Sequence, residues 1–359
     1  MSAARHAEVA GAGFAGLVAA AALAQAGWTV RVHEGAPGPR SIGSGIYVFP
    51  FVQQALGRIG ALDRVRRHAI APPHRTIMIN GARRSTIALD GILTTTRAAL
   101  HEALLETAGE AEIRFAWGSE AVGADPAGAL LTASGVRPVA DLVAAADGAR
   151  SSLAQAVGLR MDRMRHKDGI TRVLLDRTGM HGPEWDGVLD MYDYRFQPLR
   201  VLYTPCGRDA FYLCLMTPEG DAAGAAVPVD AALWTRSFPI LAPALSRVGS
   251  LGRHDRYSTT RLDRWSQGRV AVVGDAAHAM PSSLGQGAGV SMLNALRMAE
   301  AVADGDVLPG LARWEAAMRP VVERWQAQAE QVARERSLAS TRHPGHDLAA
   351  EAATPLEAA

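Results

Sequence analysis

Gly11-Ala12-Gly13-Phe14-Ala15-Gly16 decides the reading of this chain. A short apolar run, Ala7-Glu8-Val9-Ala10, precedes it and predicts a strand. Leu17 to Ala26 follows, an Ala-rich stretch that predicts a helix ended by Gly27. Val30-Arg31-Val32-His33 predicts a second strand, closed by Glu34. Strand, G-x-G-x-x-G, helix, strand and acid thus fall within about thirty residues. Gly11 allows the tight turn, Gly13 lets backbone approach a pyrophosphate, and Gly16 lets helix pack closely on strand. The helix N-terminus offers free N–H groups and a positive dipole end. Glu34, 18 residues after Gly16, can accept hydrogen bonds from a ribose 2′-hydroxyl and would repel a 2′-phosphate. On its own the unit admits NAD, NADP or FAD.

Two later segments narrow the choice to FAD. The run from Ala140 to Ala146 predicts a buried strand that enters a turn at Asp147-Gly148. Val270 to Val273 predicts a parallel-type strand, closed by Gly274-Asp275. Gly285, Gly287 and Ala288 then open a helix running from about Val290 to Asp304. A second helix N-terminus is thereby aimed at a hydrogen-bond acceptor. FAD is long enough to need both ends held, its pyrophosphate at the first loop and its ribityl chain and ring at the second. An NAD-only protein has no use for the second site.

Composition excludes several other classes. The 359 residues suggest two domains, or one with an insertion. Lys+Arg is 37 and Asp+Glu 36, a formal charge of +1, so no basic footprint for nucleic acid is expected. Hydrophobic residues make up 48%, which excludes disorder of the whole chain. The two cysteines, Cys206 and Cys214, exclude a disulfide scaffold and a Cys-rich zinc site. They fit a reducing, cytoplasmic setting. No apolar stretch is long enough to span a membrane. Phe14 to Ala24 could pass for a signal-peptide core, but Glu8 ahead of it and the punctuating glycines suit the nucleotide unit better.

The Gly11–Gly16 loop with Glu34, Asp147-Gly148 and Gly274-Asp275-Ala276-Ala277-His278 resemble the single-component FAD aromatic hydroxylases of the para-hydroxybenzoate hydroxylase type. More narrowly, Ala7–Glu34, Gly43–Leu62, Asp168–Gly169, Leu189–Met191, Arg200–Cys206, Phe211–Pro218 and Tyr257–Ala279 resemble the branch of 2-methyl-3-hydroxypyridine-5-carboxylate oxygenase. The likeness covers roughly residues 5–340. It implies that Asp275 holds the ribityl chain, that Asp147 and Gly148 sit near the pyrophosphate, and that Arg97 contacts the phosphate or ribityl side. It places Arg40 near the adenosine and Pro281 over the flavin. Ala154 stands where the second motif usually carries an arginine, and Asn294 replaces a common aspartate. Pro281 is the commoner family residue, whereas the pyridine branch carries another.

The expected fold is α/β: a Rossmann-like FAD-binding domain with an inserted antiparallel-sheet substrate domain and C-terminal helices. The FAD domain would be discontinuous, 1–72, 92–160 and 262–340, with the substrate domain at 73–91 and 161–261 and a disordered tail at 341–359. Thr76–Asn80, Arg172–Leu175, Val188–Tyr192, Leu199–Thr204 and Phe211–Met216 read as strands. Cys206-Gly207-Arg208-Asp209 reads as a hairpin turn. Pairing 206 with 210 sets Tyr212 opposite Thr204 and Cys214 opposite Leu202, so the cysteines are not disulfide partners. Arg200 and Tyr212 then share a face, a plausible pocket for an aromatic carboxylate. The alternative is that Arg200 pairs with an acid on the outer face. Tyr47 and Tyr257 match pocket positions in the same branch. His278 is expected to be structural rather than a base. Pro309 to Leu338 reads as a core-capping helix.

The resemblance implies a monooxygenase. NADH or NADPH would visit without its own domain and reduce FAD. O₂ would then form a C4a-hydroperoxide that attacks a small hydroxylated aromatic or heteroaromatic ring, with ring opening left open. A flavin oxidase, dehydrogenase or tailoring enzyme of secondary metabolism is the alternative, and a non-catalytic FAD sensor the third. Monomer and homodimer are both compatible with the sequence.

Overall fold

The computed structural model describes residues 4–39 and 43–338. A six-stranded sheet runs, edge to edge, Ser266–Gln267, Val270–Val272, Leu142–Ala145, His6–Ala10, Thr29–Glu34 and Arg114–Trp117. All its pairings are parallel except the first. Its central strands are apolar along their length, as strands covered on both faces must be. The helix Phe14–Gln25 is buried almost all round and packs against the helix Gly287–Ala303. This pairing brings the N-termini of the two predicted ligand-binding helices into one region.

A seven-stranded sheet runs Arg253–Leu262, Met161–Asp176, Ala210–Thr217, Leu199–Cys206, Val188–Asp193, His74–Ile79 and Ala82–Ala88. Its two faces follow from strict alternation. On the outer face Val173, Val201, Tyr203, Phe211, Leu213 and Leu215 form a core with Trp234, Phe238 and Leu241 from the short helices that cover it. The inner face carries Tyr192, Leu202, Tyr212, Cys214 and Met216. Thr204 lies opposite Tyr212 and Leu202 opposite Cys214, the register expected from the hairpin turn.

The sheet differs from expectation in three ways. The predicted strand at 172–175 is part of a 16-residue strand, Met161–Asp176. Arg253–Leu262 and Ala82–Ala88 are strands with no counterpart in the sequence reading. The sheet is not wholly antiparallel, because Val188–Asp193 pairs in parallel with His74–Ile79. The last helix spans Val307–Glu335 and passes through Pro320 without ending. Among the described residues no helix is long and apolar enough to cross a membrane. Arg40 and the 341–359 tail lie outside the described residues.

Candidate active site

The first loop divides its glycines by task. Gly11 has φ +104°, and a Cβ there would collide with the Ala146 carbonyl. A Cβ on Gly16 would overlap the Gly11 carbonyl, so helix and strand touch backbone to backbone. A Cβ on Gly13 would meet nothing within 4 Å. Gly13 is also the N-cap of Phe14–Gln25 and caps it with no side chain, so the first amides of that helix remain donors. An open face beside uncapped amides fits a pyrophosphate. Glu34 faces the same mouth, accepting from the Ala12 and Ala36 amides at 3.1 and 2.9 Å.

The other two motifs close around this loop. A Cβ on Gly274 would press on the Ala15 side chain, so the third motif packs directly on the first. Asp275 is exposed and takes only the Ser291 hydroxyl, at 3.2 Å. Asp147 accepts from the Ser152 and Leu153 amides through Oδ2, while its buried Oδ1 has no partner. That orphaned acceptor suits a ligand hydroxyl. Gly148 follows at φ +84°, which gives the turn its left-handed bend. Arg97 lies with its guanidinium 4.5 Å over the Phe14 ring and makes no side-chain hydrogen bond or ion pair among the described residues. Burial draws its pKa down, opposed by Asp275 and Tyr212. A half-buried cation with no side-chain partner among the described residues, set between these motifs, fits the phosphate or ribityl side of FAD. Gly285 turns the chain at φ +68°, and Gly287 and Ala288 begin the second helix, which again has no side-chain cap.

The tyrosines stand between this cradle and the inner face. Tyr47 packs its ring near Gly285 and bonds its hydroxyl to Thr204 Oγ1 at 2.7 Å. Gly45 leaves no room for a Cβ between Cys206 and Tyr212. Tyr257 lies near Ser282, next to the buried Pro281, and its pKa is pushed up by burial to about 12. Burial likewise raises Tyr47 and Tyr212, so all three remain neutral phenols that can donate hydrogen bonds.

The fork of Arg200 is already taken. Its Nε and Nη2 donate to Asp190 Oδ1 and Oδ2 at 2.8 and 3.1 Å, and Arg75 donates to the same Oδ2. Burial alone would raise the Asp190 carboxyl, but Arg200 and Arg75 outweigh it and hold the pKa well below the usual range. The partner is an acid, as the alternative reading had it, but it sits on the inner face, opposite Leu202, not on the outer one. The bidentate anchor expected for a substrate carboxylate is therefore filled from within. Strand order decides this, because Asp190 and Arg200 face each other only across adjacent strands.

Three further residues were not singled out from sequence. Arg172 lies opposite Cys214 and pairs with Asp255 at 3.1 Å. Gln326 is buried and donates to both Thr260 and Ala279 carbonyls, at 2.8 and 3.0 Å, fixing the turn before Pro281. Asp168 accepts from Ser337 and the Leu338 amide, holding the C-terminal turn on the inner face. His278 is buried against Trp265 at 5.3 Å, with neither ring nitrogen bonded and its pKa lowered by burial to about 4. Packing of a neutral imidazole accounts for it.

Comparisons with known proteins bear on the family and the fold. The profile of the family described as "FAD binding domain" matches residues 6–316. The chain is 39% identical over 330 residues to a 2-heptyl-3-hydroxy-4(1H)-quinolone synthase of Mycobacteroides abscessus, covering 89% of this chain and 88% of that one. It is 31% identical to a 3-amino-4-hydroxybenzoate 2-monooxygenase of Streptomyces platensis, covering 88% and 84%. The solved tetrameric form of 2-methyl-3-hydroxypyridine-5-carboxylic acid oxygenase superposes with a TM-score of 0.90 at 39% identity, covering 96% and 95%. The chain belongs to the family of FAD-dependent aromatic hydroxylases.

Proposed function

We propose that the protein is an NAD(P)H-dependent monooxygenase. It adds one oxygen atom from O₂ to a small aromatic or heteroaromatic ring bearing a hydroxyl or oxo group. One observation carries this reading. The FAD cradle and a wall of neutral tyrosines meet at a single place, where Arg97 stacks on Phe14 and lies in the electrostatic reach of both Asp275 and Tyr212. The named activities of the relatives give it chemical content, since each name carries an oxygen-substituted ring.

FAD, when bound, supplies the electron transfer and the activation of oxygen. The chain supplies position. The amides after Gly13 would hold the pyrophosphate, Glu34 and Asp147 would accept from ribose or ribityl hydroxyls, and Asp275 and Arg97 would hold the ribityl chain. Pro281 and the amides from Gly285 to Ala288 would serve the ring system. Tyr47, Tyr212 and Tyr257, with the Arg200 row behind them, wall off water and orient the substrate. A neutral phenol donates a hydrogen bond to a ring oxygen and leaves that oxygen free to push electrons into the ring. Oxidation of NADH and NADPH by purified FAD-loaded protein, followed against a panel of hydroxypyridines, 4-quinolones and hydroxybenzoates, tests the reading. A sharp rise with one ring class is expected. Indifference to the whole panel would contradict it.

A further inference from the structure

The inner face of the seven-stranded sheet is closed at both ends and open in its middle. On the central strand Leu199–Cys206 every residue is buried except Leu202. From Gly169 to Leu175 every residue is buried except Arg172 and Leu174. Arg172 lies opposite Cys214, and Cys214 opposite Leu202, so two of these positions fall on one row across the sheet. Leu174 lies on the next row, opposite Tyr212. A leucine that keeps exposure at the centre of a sheet marks a gap above it, since sheet faces otherwise pack against another layer.

The gap has two ends. At one, Tyr47 and Gly45 close on the row of Thr204 and Tyr212, beside the FAD motifs. At the other, Ile170, Met216, Arg200 and Tyr192 form a row in register, and all four are buried. The two rows are four residues apart, roughly 13 Å along the strands. The C-terminal turn lies against the far row. Asp168, two residues before Ile170, accepts from the Ser337 hydroxyl at 3.2 Å and from the Leu338 amide at 3.0 Å. The Arg336 guanidinium is in electrostatic reach of Tyr192 and Arg200. Leu338 is 3% exposed and belongs to the apolar cluster of the inner face. Every other member of that cluster lies on a strand of the sheet or just past the end of one. The turn thus brings one apolar side chain to this end of the sheet, and one carboxylate, bonded to two consecutive residues, fixes where it sits.

We propose that Leu338 is a specificity-determining residue: it ends the substrate gap on the side away from the flavin and so limits the length of apolar substituent that a bound ring can carry. Asp168 acts through Leu338 and is a positioning residue. The proposal rests on the reading of the inner face as the substrate wall and is independent of which group anchors the ring.

Two series of probes test it on the FAD-loaded protein, 2-n-alkyl-4-hydroxyquinolines and 6-n-alkyl-3-hydroxypyridines with chains of one to nine carbons. Kd for each follows from the perturbation of the flavin absorbance. For the wild type, each methylene that is buried should tighten binding about fourfold, up to a limiting length beyond which affinity falls. Leu338→Ala removes three side-chain carbons and should move that limit to longer chains. Leu338→Trp should move it to shorter ones, and Leu338→Met, close in volume, should leave it in place. Asp168→Ala frees the turn and should abolish the limit, so that affinity keeps rising with chain length. A merely structural role for either residue would weaken binding alike at every length. That result, with the limit unmoved in Leu338→Ala and Leu338→Trp, overturns the proposal while the substrate wall stands. A wild-type Kd that ignores chain length overturns it as well. Should Leu338→Ala fail to fold, Leu338→Trp and Asp168→Ala decide between the same outcomes. If no ring of either series binds, the inner face is not the substrate wall and the proposal falls with that reading.

Discussion

Gly13 and Gly16 lie three residues apart and differ in what a methyl group would meet. At Gly16 it would strike the Gly11 carbonyl, and at Gly13 it would enter open space. Gly16→Ala should therefore destabilise the fold by about 1–3 kcal/mol, the usual cost of overpacking. Gly13→Ala should leave the urea midpoint nearly unchanged yet weaken FAD binding at least about tenfold. Parallel unfolding and flavin-titration curves separate the two outcomes; equal effects in both assays would contradict the division of labour. His278 gives a second test at this scale. Burial lowers its pKa from 6.5 to about 4, against the pull of Asp275. Between those values the unfolded chain binds a proton that the folded chain refuses, so stability is lost as pH falls. From pH 7 to pH 5 the loss is about 2 kcal/mol. His278→Phe should remove that slope in urea unfolding without changing turnover; lost turnover with the slope intact would make the imidazole a functional group. The phosphate-loop residues were legible because their spacing is local. The Arg200–Asp190 pair was not, because 10 positions of sequence separate residues that meet only after two strands pair.

The element scale shows what sequence periodicity carries and what it leaves out. The hairpin at Cys206-Gly207-Arg208-Asp209 fixed its own register, so the facing of Thr204 and Tyr212 followed from the turn. Asn80-Gly81 is an equally strong hairpin signal, with both residues at positive φ. Its second strand, Ala82–Ala88, escaped notice because Arg83, Arg84 and Ser85 give it little apolar alternation. Polar strands at a sheet edge carry little periodic signal. The first half of Met161–Asp176 was missed for the same reason, since Met161 to Lys167 is mostly charged. The C-terminal helix was read as a core cap, yet Gln326 on it ties the Ala279 carbonyl to the Thr260 strand end. Gln326→Leu removes both bonds and leaves the Thr260 carbonyl short of a donor, while the Ala279 carbonyl keeps the Thr260 amide. A stability loss of about 1–3 kcal/mol is expected. If Pro281 lies beside the flavin as proposed, turnover should fall more than ring affinity, because the turn that carries it loosens; an unchanged kcat with raised Kd would contradict that placement.

At the scale of the whole molecule, the two sheets divide the work. The parallel sheet carries two helix ends without side-chain caps near Arg97, where we place the dinucleotide, and the seven-stranded sheet carries a wall of phenols and paired charges. On the proposed function, the chemistry would belong where the two surfaces meet, and the ring's own oxygen would tune its reactivity. The α/β class and both helix ends were readable from three short motifs, since each is a local strand–turn–helix event. The wall was readable only in part, since two of its strands, His74–Ile79 and Ala82–Ala88, are separated from the other five by about 70 residues of chain that belong to other elements. The most direct test of the account is the isotopic content of the product formed by FAD-loaded protein, NADH or NADPH and an activating ring under ¹⁸O₂. One heavy oxygen atom in the ring product is predicted. A product formed with reduced-nicotinamide consumption but without label would contradict oxygen insertion and leave a flavin oxidation of another kind.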